Sequence, residues 1–233
     1  MWLTSAEWNA VWLSVIVSSS AVILMLPLGI ATAWMLARWQ FRFKILVETL
    51  VNLPLVVPPV VTGYVLLHAF GTRGFLGNLL MEWFGVRVVF DWKGAALASG
   101  VMAFPLMVRA SRVAFSAVDP RLEAVARTLG ASRLDAFVTV TIPLAWHGMI
   151  AGMILAFARS MGEFGATMMV AGSIPGETRT ISLEIFHAME APGGTGRATA
   201  LVMTSVLIGG LAVAGSEWLE RRYRHDRERH LRY

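Results

Sequence analysis

The chain has 233 residues, 56% of them hydrophobic, a mean hydropathy of +0.63 and a formal charge of +5. A water-soluble domain of this length cannot hide so much apolar surface, and the apolar residues stand in long blocks, so the composition excludes a soluble fold and predicts an all-α integral membrane protein. The absence of cysteine excludes disulfides, thiolate nucleophiles and Cys-ligated metals.

Crossing the ~30 Å hydrocarbon core takes about 20 apolar residues in a helix. Five blocks satisfy this: 11–37, 48–70, 94–115, 144–171 and 198–219. Each is predicted to be helical, because a lone helix satisfies its own backbone in lipid. The first block does not resemble a cleaved signal. "MWLTSAEWNA" ahead of it has no Lys or Arg, the apolar run is too long, and "LARWQFRFK" follows it as a stop-transfer flank would.

The second block holds "LPLVVPPVVTGY", with Pro54, Pro58 and Pro59 inside one span. A mid-helix proline costs about 3 kcal/mol and strands the carbonyl four residues back, here those of Leu50, Pro54 and Leu55. One reading is a purely structural kink, since neighbouring helices can re-satisfy the backbone of a proline-bearing membrane helix. Three within six residues predict a bent or broken helix that lines a pathway, with Gly63 permitting close approach. Residues 74–90 are apolar but short and contain Glu82 and Arg87, so they read as an interfacial or re-entrant piece.

After the third block comes "DPRLEAVARTLGASRLDAFVTVTIP", residues 119–143. Asp119 is a suitable N-cap and Pro120 suits the first helical position. The helix is expected to run to Leu129, with Gly130 as its left-handed stop. Leu122, Val125, Ala126 and Leu129 fall on one face. Ser132 with Asp135 resembles a capping box for a second helix, and Pro143 is expected to end or kink that helix before the fourth span. A helix of about ten residues is marginal without packing. Its apolar face therefore lies on the protein's own spans, on the lipid surface, or in a partner.

In the fourth block, "ARSMGEFGATMM" places Arg159 and Glu163 four residues apart, able to pair on one helical face. Charges at bilayer depth cost on the order of 2.5–3.5 kcal/mol each, so both should face the bundle interior or a cavity. They are a structural ion pair between helices or a gate on an anion route. Gly162 and Gly165 would admit a neighbouring helix. Residues 173–194 follow, a turn-rich segment that reads either as a plain loop or as a loop with a short helix at Ile181–Glu190. The last span leads into "ERRYRHDRERHLRY", residues 220–233, a charge run suited to water and anionic lipid headgroups.

The charges also set the topology. Fourteen of the 20 basic residues lie after the first span, at the end of the third and beyond it, or in the tail. The positive-inside rule then places the N-terminus outside and the C-terminus in the cytoplasm, with loop 119–143 cytoplasmic. The basic balance is a topology signal, and no nucleic-acid partner is expected.

The loop "AVARTLGASRLDAFVTVTIP", residues 124–143, resembles the cytoplasmic loop of ABC importer permeases: Glu-Ala-Ala, three residues, Gly, nine residues, Ile-x-Leu-Pro. Ala126 matches the second Ala, Gly130 the Gly, and Val140, Ile142 and Pro143 the closing positions. Ala124 stands where the family has Glu, with Glu123 one residue earlier, and Val125 replaces the first Ala. "PPVVTGY", "FPLMVRA", "FARSMGEFGAT" and "IPGETRTI" are similar to permeases for molybdate and related tetrahedral oxyanions. The resemblance implies a type I importer permease in a bacterial cytoplasmic membrane. It implies a coupling helix carrying Asp119, Pro120, Leu122, Glu123, Ala124, Ala126, Arg127, Leu129, Gly130 and Ser132, seated in a cleft of an ATP-binding cassette subunit. It implies a pathway or gate drawing on Pro54, Pro58, Pro59, Gly63, Arg159, Glu163 and Phe164. It further implies an external oxyanion-binding protein at residues 173–194; five helices are few to enclose a polar route, so a second copy of the chain is expected.

No catalytic set is expected. The two lysines, Lys44 and Lys93, follow Phe43 and Trp92 and cannot close a phosphate-cradling loop. No cofactor is expected on this chain, with ATP and magnesium on the partner ATPase. The rival reading is an ion-coupled secondary transporter or channel using Arg159 and Glu163 without an ATPase.

Overall fold

The computed structural model describes residues 3–230, with side chains to Trp218. The described residues are helical and turn segments with no strand. Helix α1, Ser5–Arg38, starts six residues before the apolar block. Thr4 caps it: the Thr4 hydroxyl accepts from Glu7 N–H, and Glu7 accepts from Thr4 N–H in return. A reciprocal cap of this kind satisfies two of the orphan donors at a helix start.

Helices α2, Lys44–Val56, and α3, Pro59–Phe70, replace the second block, and the chain bends by 112° between them. The prolines act unequally. Pro54 is accommodated inside α2, whereas the Pro58–Pro59 pair removes two consecutive N–H groups and the helix breaks there. Val57 N–H makes the last bond of α2, to Leu53 O at 3.0 Å. Helix α4, Phe75–Phe84, has ten residues and spans about 15 Å, too short to cross.

Helix α5, Trp92–Ser116, is the centre of the bundle, packed on α1 and on α8, Ile142–Met161. Its buried positions are mostly Ala, Gly, Ser and Met, which let neighbouring backbones come close. At the end where α1 finishes, Leu36, Phe115, Val118, Ala145 and Met149 form a core, with Trp34 and Phe137 packed on it. Helix α6, Pro120–Thr128, and α7, Arg133–Ala136, form the loop between α5 and α8.

Pro143 does not end the helix that carries it. A π-helical turn, Phe137–Thr141, joins α7 to α8, and Ile142 N–H reaches back five residues to Phe137 O. The wider turn makes room for a ring that would collide with Thr139 O in α geometry. Arg133–Met161 is thus one apolar rod of 29 residues.

The fourth block is not one helix. Helix α8 stops at Met161, residues 162–164 are non-helical, and α9, Gly165–Ala171, restarts the chain. Helix α10, Ile181–Glu190, buries Ile181, Leu183, Glu184 and Ala188 against the bundle. Ile181 N–H donates to Ser14 Oγ at 2.7 Å, which pins α10 to α1. Helix α11 runs from Thr195 to His230, so the backbone stays helical through most of the basic tail; the side chains of that charge run lie outside the described residues. Four helices are long and apolar enough to cross a membrane, and the bent α2–α3 pair makes a fifth if counted as one span.

Candidate coupling loop and translocation path

The loop helix α6 forms for the local reasons its sequence suggests. Asp119 Oδ1 accepts from Arg121 N–H at 2.9 Å, and Pro120 opens the helix. The helix ends at Thr128, with Leu129 as its cap, one residue short of the expected end. Gly130 follows at φ +100°, which an L side chain rarely adopts. Ala131 N–H then bonds Ala126 O, and Gly130 N–H bonds Arg127 O, each at 3.1 Å. That pair of bonds is a Schellman stop. Ser132 and Asp135 cap each other reciprocally at the start of α7.

The orientation of α6 excludes one of the three expected docking modes. Leu122, Val125 and Leu129 are exposed, Leu129 at 84%, and Ala124, Arg127 and Thr128 stand beside them. The apolar face does not pack on the chain's own spans. Glu123 and half-buried Ala126 turn inward instead. Glu123 Oε1 accepts from Arg38 Nη2 at 3.0 Å and from the Thr141 hydroxyl. One carboxylate therefore ties α6 to the end of α1 and to the π turn ahead of α8. The sequence offers no signal for this tie, whose partners lie 85 and 18 residues away.

About 30 Å away, at the far end of α8, lies the second cluster. Glu163 sits in the break between α8 and α9, its side chain only 2% exposed. Glu163 Oε2 pairs with Arg159 Nη1 at 2.9 Å, and Oε1 accepts from Ala166 N–H at 2.9 Å. The expected pairing is present, but across a break rather than along one continuous face. The carboxylate holds the end of α8 and the start of α9 together. Phe164 caps α9 at φ −129°, ψ −60°, and its ring lies 5.3 Å from that of Phe186 on α10.

The two interrupted segments pack on each other. A Cβ on Gly63 would lie 2.7 Å from Met169 Cβ and 2.9 Å from Ala166 Cα, so α3 rests directly on the α9 backbone. A Cβ on Gly165 would lie 3.1 Å from Pro59 Cβ. Gly162 has no such neighbour and opens no helix contact. Pro59, Gly63, Glu163 and Phe164 thus converge where α3 meets α9. Pro54 lies further back in α2, and Pro58 forms the bend. The α6 residues share none of these contacts.

A third polar group joins α5 to α2. Arg112 Nη1 pairs with Glu48 Oε1 at 2.9 Å between α5 and α2. Ionisable residues within two apolar segments were the available signal.

Residues 25–225 match the family model described as binding-protein-dependent transport system inner membrane component. The chain is 51% identical to the molybdenum transport system permease protein ModB of Escherichia coli K12, covering 95% of this chain and 96% of that one. It is 45% identical to the Haemophilus influenzae protein of the same name, covering 93% and 94%. It is 35% identical to the sulfate transport system permease protein CysT of Salmonella typhimurium, covering 77% and 66%. Among solved structures, a bacterial alginate ABC transporter in complex with its pentasaccharide-bound periplasmic protein shares the fold, with a TM-score of 0.70 at 17% identity over 94% of this chain and 80% of that one. The chain therefore belongs to the family of inner-membrane components of binding-protein-dependent transport systems.

Proposed function

We propose that this chain is the membrane-spanning permease of an ATP-driven importer for molybdate or a related tetrahedral oxyanion. The observation that carries the reading is 51% identity, across nearly the whole of both chains, to a molybdenum permease. The outward apolar face of α6 supports the coupling role. Leu122, Val125 and Leu129 form the seat for a partner's cleft, with Ala124, Arg127, Gly130 and Ser132 at its margin and Asp119 and Pro120 fixing the rod's start.

The chain has no phosphate-cradling loop of its own, so the partner subunit binds ATP and magnesium and hydrolyses the nucleotide. Closure of the partner displaces α6 as a rigid rod. Glu123 passes the movement to α1 through Arg38 and to α8 through Thr141. Helix α8 carries it to the Arg159–Glu163 junction, and α9 passes it to α3 through the contacts at Gly63 and Gly165. Pro54, Pro58, Pro59, Gly63, Arg159, Glu163 and Phe164 border the route. Two copies enclose the route. The external face receives an oxyanion-binding protein, the N-terminus lies outside, and the tail meets the cytoplasm and the inner leaflet. A change between inward- and outward-facing arrangements of this kind is a rigid-body switch.

The ion-coupled alternative is not favoured, because the family is defined by dependence on a binding protein. The test is uptake of radiolabelled molybdate by the complex reconstituted in liposomes with its ATPase and binding protein. ATP-dependent accumulation supports the proposal. Gradient-driven accumulation by the chain alone, without an ATPase, overturns it.

A further inference from the structure

The cavity between α2 and α5 is unlike the apolar grooves elsewhere on the bundle. It holds about 320 Å³ and is lined by Glu48, Asn52, Arg109 and Arg112 among apolar residues. Glu48 and Asn52 are four residues apart on α2, and Arg109 and Arg112 three apart on α5, so each pair projects from one face. Arg112 is paired with Glu48. Arg109 has no hydrogen-bonding or ionic partner among the described residues. Asn52 donates its amide N–H to Glu48 O at 2.7 Å. The cavity is thus one positive charge in excess, inside two apolar segments.

Position adds to composition. Glu48 and Asn52 lie four and eight residues from the start of α2, and Arg109 and Arg112 seven and four from the end of α5. At 1.5 Å per residue the cavity sits about 6–12 Å into these helices from the coupling-loop end. It lies between that end and the α2–α3 bend. Arg109 is exposed rather than buried, so its guanidinium is open to water or to an anion entering the cavity. The volume takes an oxyanion with several of its waters, at about 30 Å³ per water.

We propose that this cavity is a low-affinity anion site on the cytoplasmic side of the path, the last station of a tetrahedral dianion before release. The proposal rests on the import function above. The free fork of Arg109 offers two parallel donors to two oxygens of the anion, a geometry that guanidinium fits better than ammonium. Arg112 is shared between Glu48 and the anion. Glu48 keeps the site weak: it neutralises one of the two guanidiniums and repels a dianion, so the ion leaves rather than stays.

Equilibrium binding of radiolabelled molybdate to the nucleotide-free complex in nanodiscs tests this, alongside uptake by the same preparations. Wild-type complex in pure phosphatidylcholine should show a weak saturable site. R109Q should weaken it about tenfold, R109K less, as expected for loss of one charge-assisted contact. E48Q should tighten it about tenfold and slow uptake. Equal binding by wild type and R109Q, with ATP-driven uptake intact in both, overturns the site and leaves the import function standing. Displacement of molybdate by phosphatidylglycerol at bilayer levels identifies a lipid headgroup as the occupant and also overturns the proposal. Failure of wild-type complex to accumulate any oxyanion strikes the import function itself. Because E48Q predicts a gain, a loss of binding in R109Q through misfolding cannot pass for support.

Discussion

Replacing Glu123 by Ala removes the side chain that joins α6 to the rest of the bundle. The carboxylate accepts from Arg38 at 3.0 Å and from Thr141, with Arg38 and Glu123 side chains 12% and 24% exposed. An exposed ion pair is worth about 0–1 kcal/mol, and breaking a fully buried one costs about 3–5 kcal/mol. This pair lies between those limits, and its loss also strands Arg38, whose Nε already lacks a partner. A cost of about 2 kcal/mol follows, or a factor of about 30 in the equilibrium for α6 lifting away. Hydrogen exchange of residues 120–131 in nanodiscs reads that factor directly. Leu129→Ala is the control. At 84% exposure Leu129 contributes little to the isolated chain, so exchange should stay within about twofold while ATPase capture falls. Glu123→Ala should do the reverse: fast exchange, retained capture, and ATP hydrolysis no longer matched by uptake. Unchanged protection in Glu123→Ala, or equal loss of protection in Leu129→Ala, refutes the assignment of an inner anchor and an outer seat.

Gly63→Ala should lower the thermal midpoint of the purified chain, because the new methyl meets Met169 Cβ at 2.7 Å and the Ala166 backbone at 2.9 Å. Overpacking of this kind costs about 1–3 kcal/mol, and an unchanged midpoint would show that α3 is free to step away from α9. Replacing both Pro58 and Pro59 by Ala restores two donors at the bend. The 112° bend should straighten toward a rod of about 40 Å between residues 44 and 70, measured by spin labels on introduced cysteines in this cysteine-free chain. Glu163→Gln keeps an acceptor for Ala166 N–H but loses the charge that holds Arg159. More ATP should then be hydrolysed per oxyanion imported, and a normal ratio would remove Glu163 from the gate.

What was legible in the sequence was local. Asp119, Pro120 and Gly130 declare the ends of α6 because caps and left-handed stops are chemistry between neighbours. The Pro58–Pro59 break is legible for the same reason. The break at residues 162–164 is not, since no proline announces it. At the break Glu163 takes the Ala166 N–H, and Gly165 lies against Pro59 and Val60 of α3, a contact that local spacing does not announce. Spacing alone therefore paired Arg159 with Glu163 correctly while placing both on a continuous helix. The π turn before Pro143 was hidden likewise: a proline says that α geometry is interrupted, not whether the chain stops, bends or widens. Long-range ties such as Arg38–Glu123 leave no periodic trace. These unread features are also the ones that the proposed transmission would use. A stroke entering at α6 leaves α8 at Met161, where it is either absorbed by flexing of residues 162–164 or passed to α9 and the bend in front of α3. The ion pair across that gap, with the Glu163 side chain buried and Arg159 half-buried, makes absorption the costlier route, so the proposed coupling predicts that the movement is taken up at the Pro58–Pro59 bend.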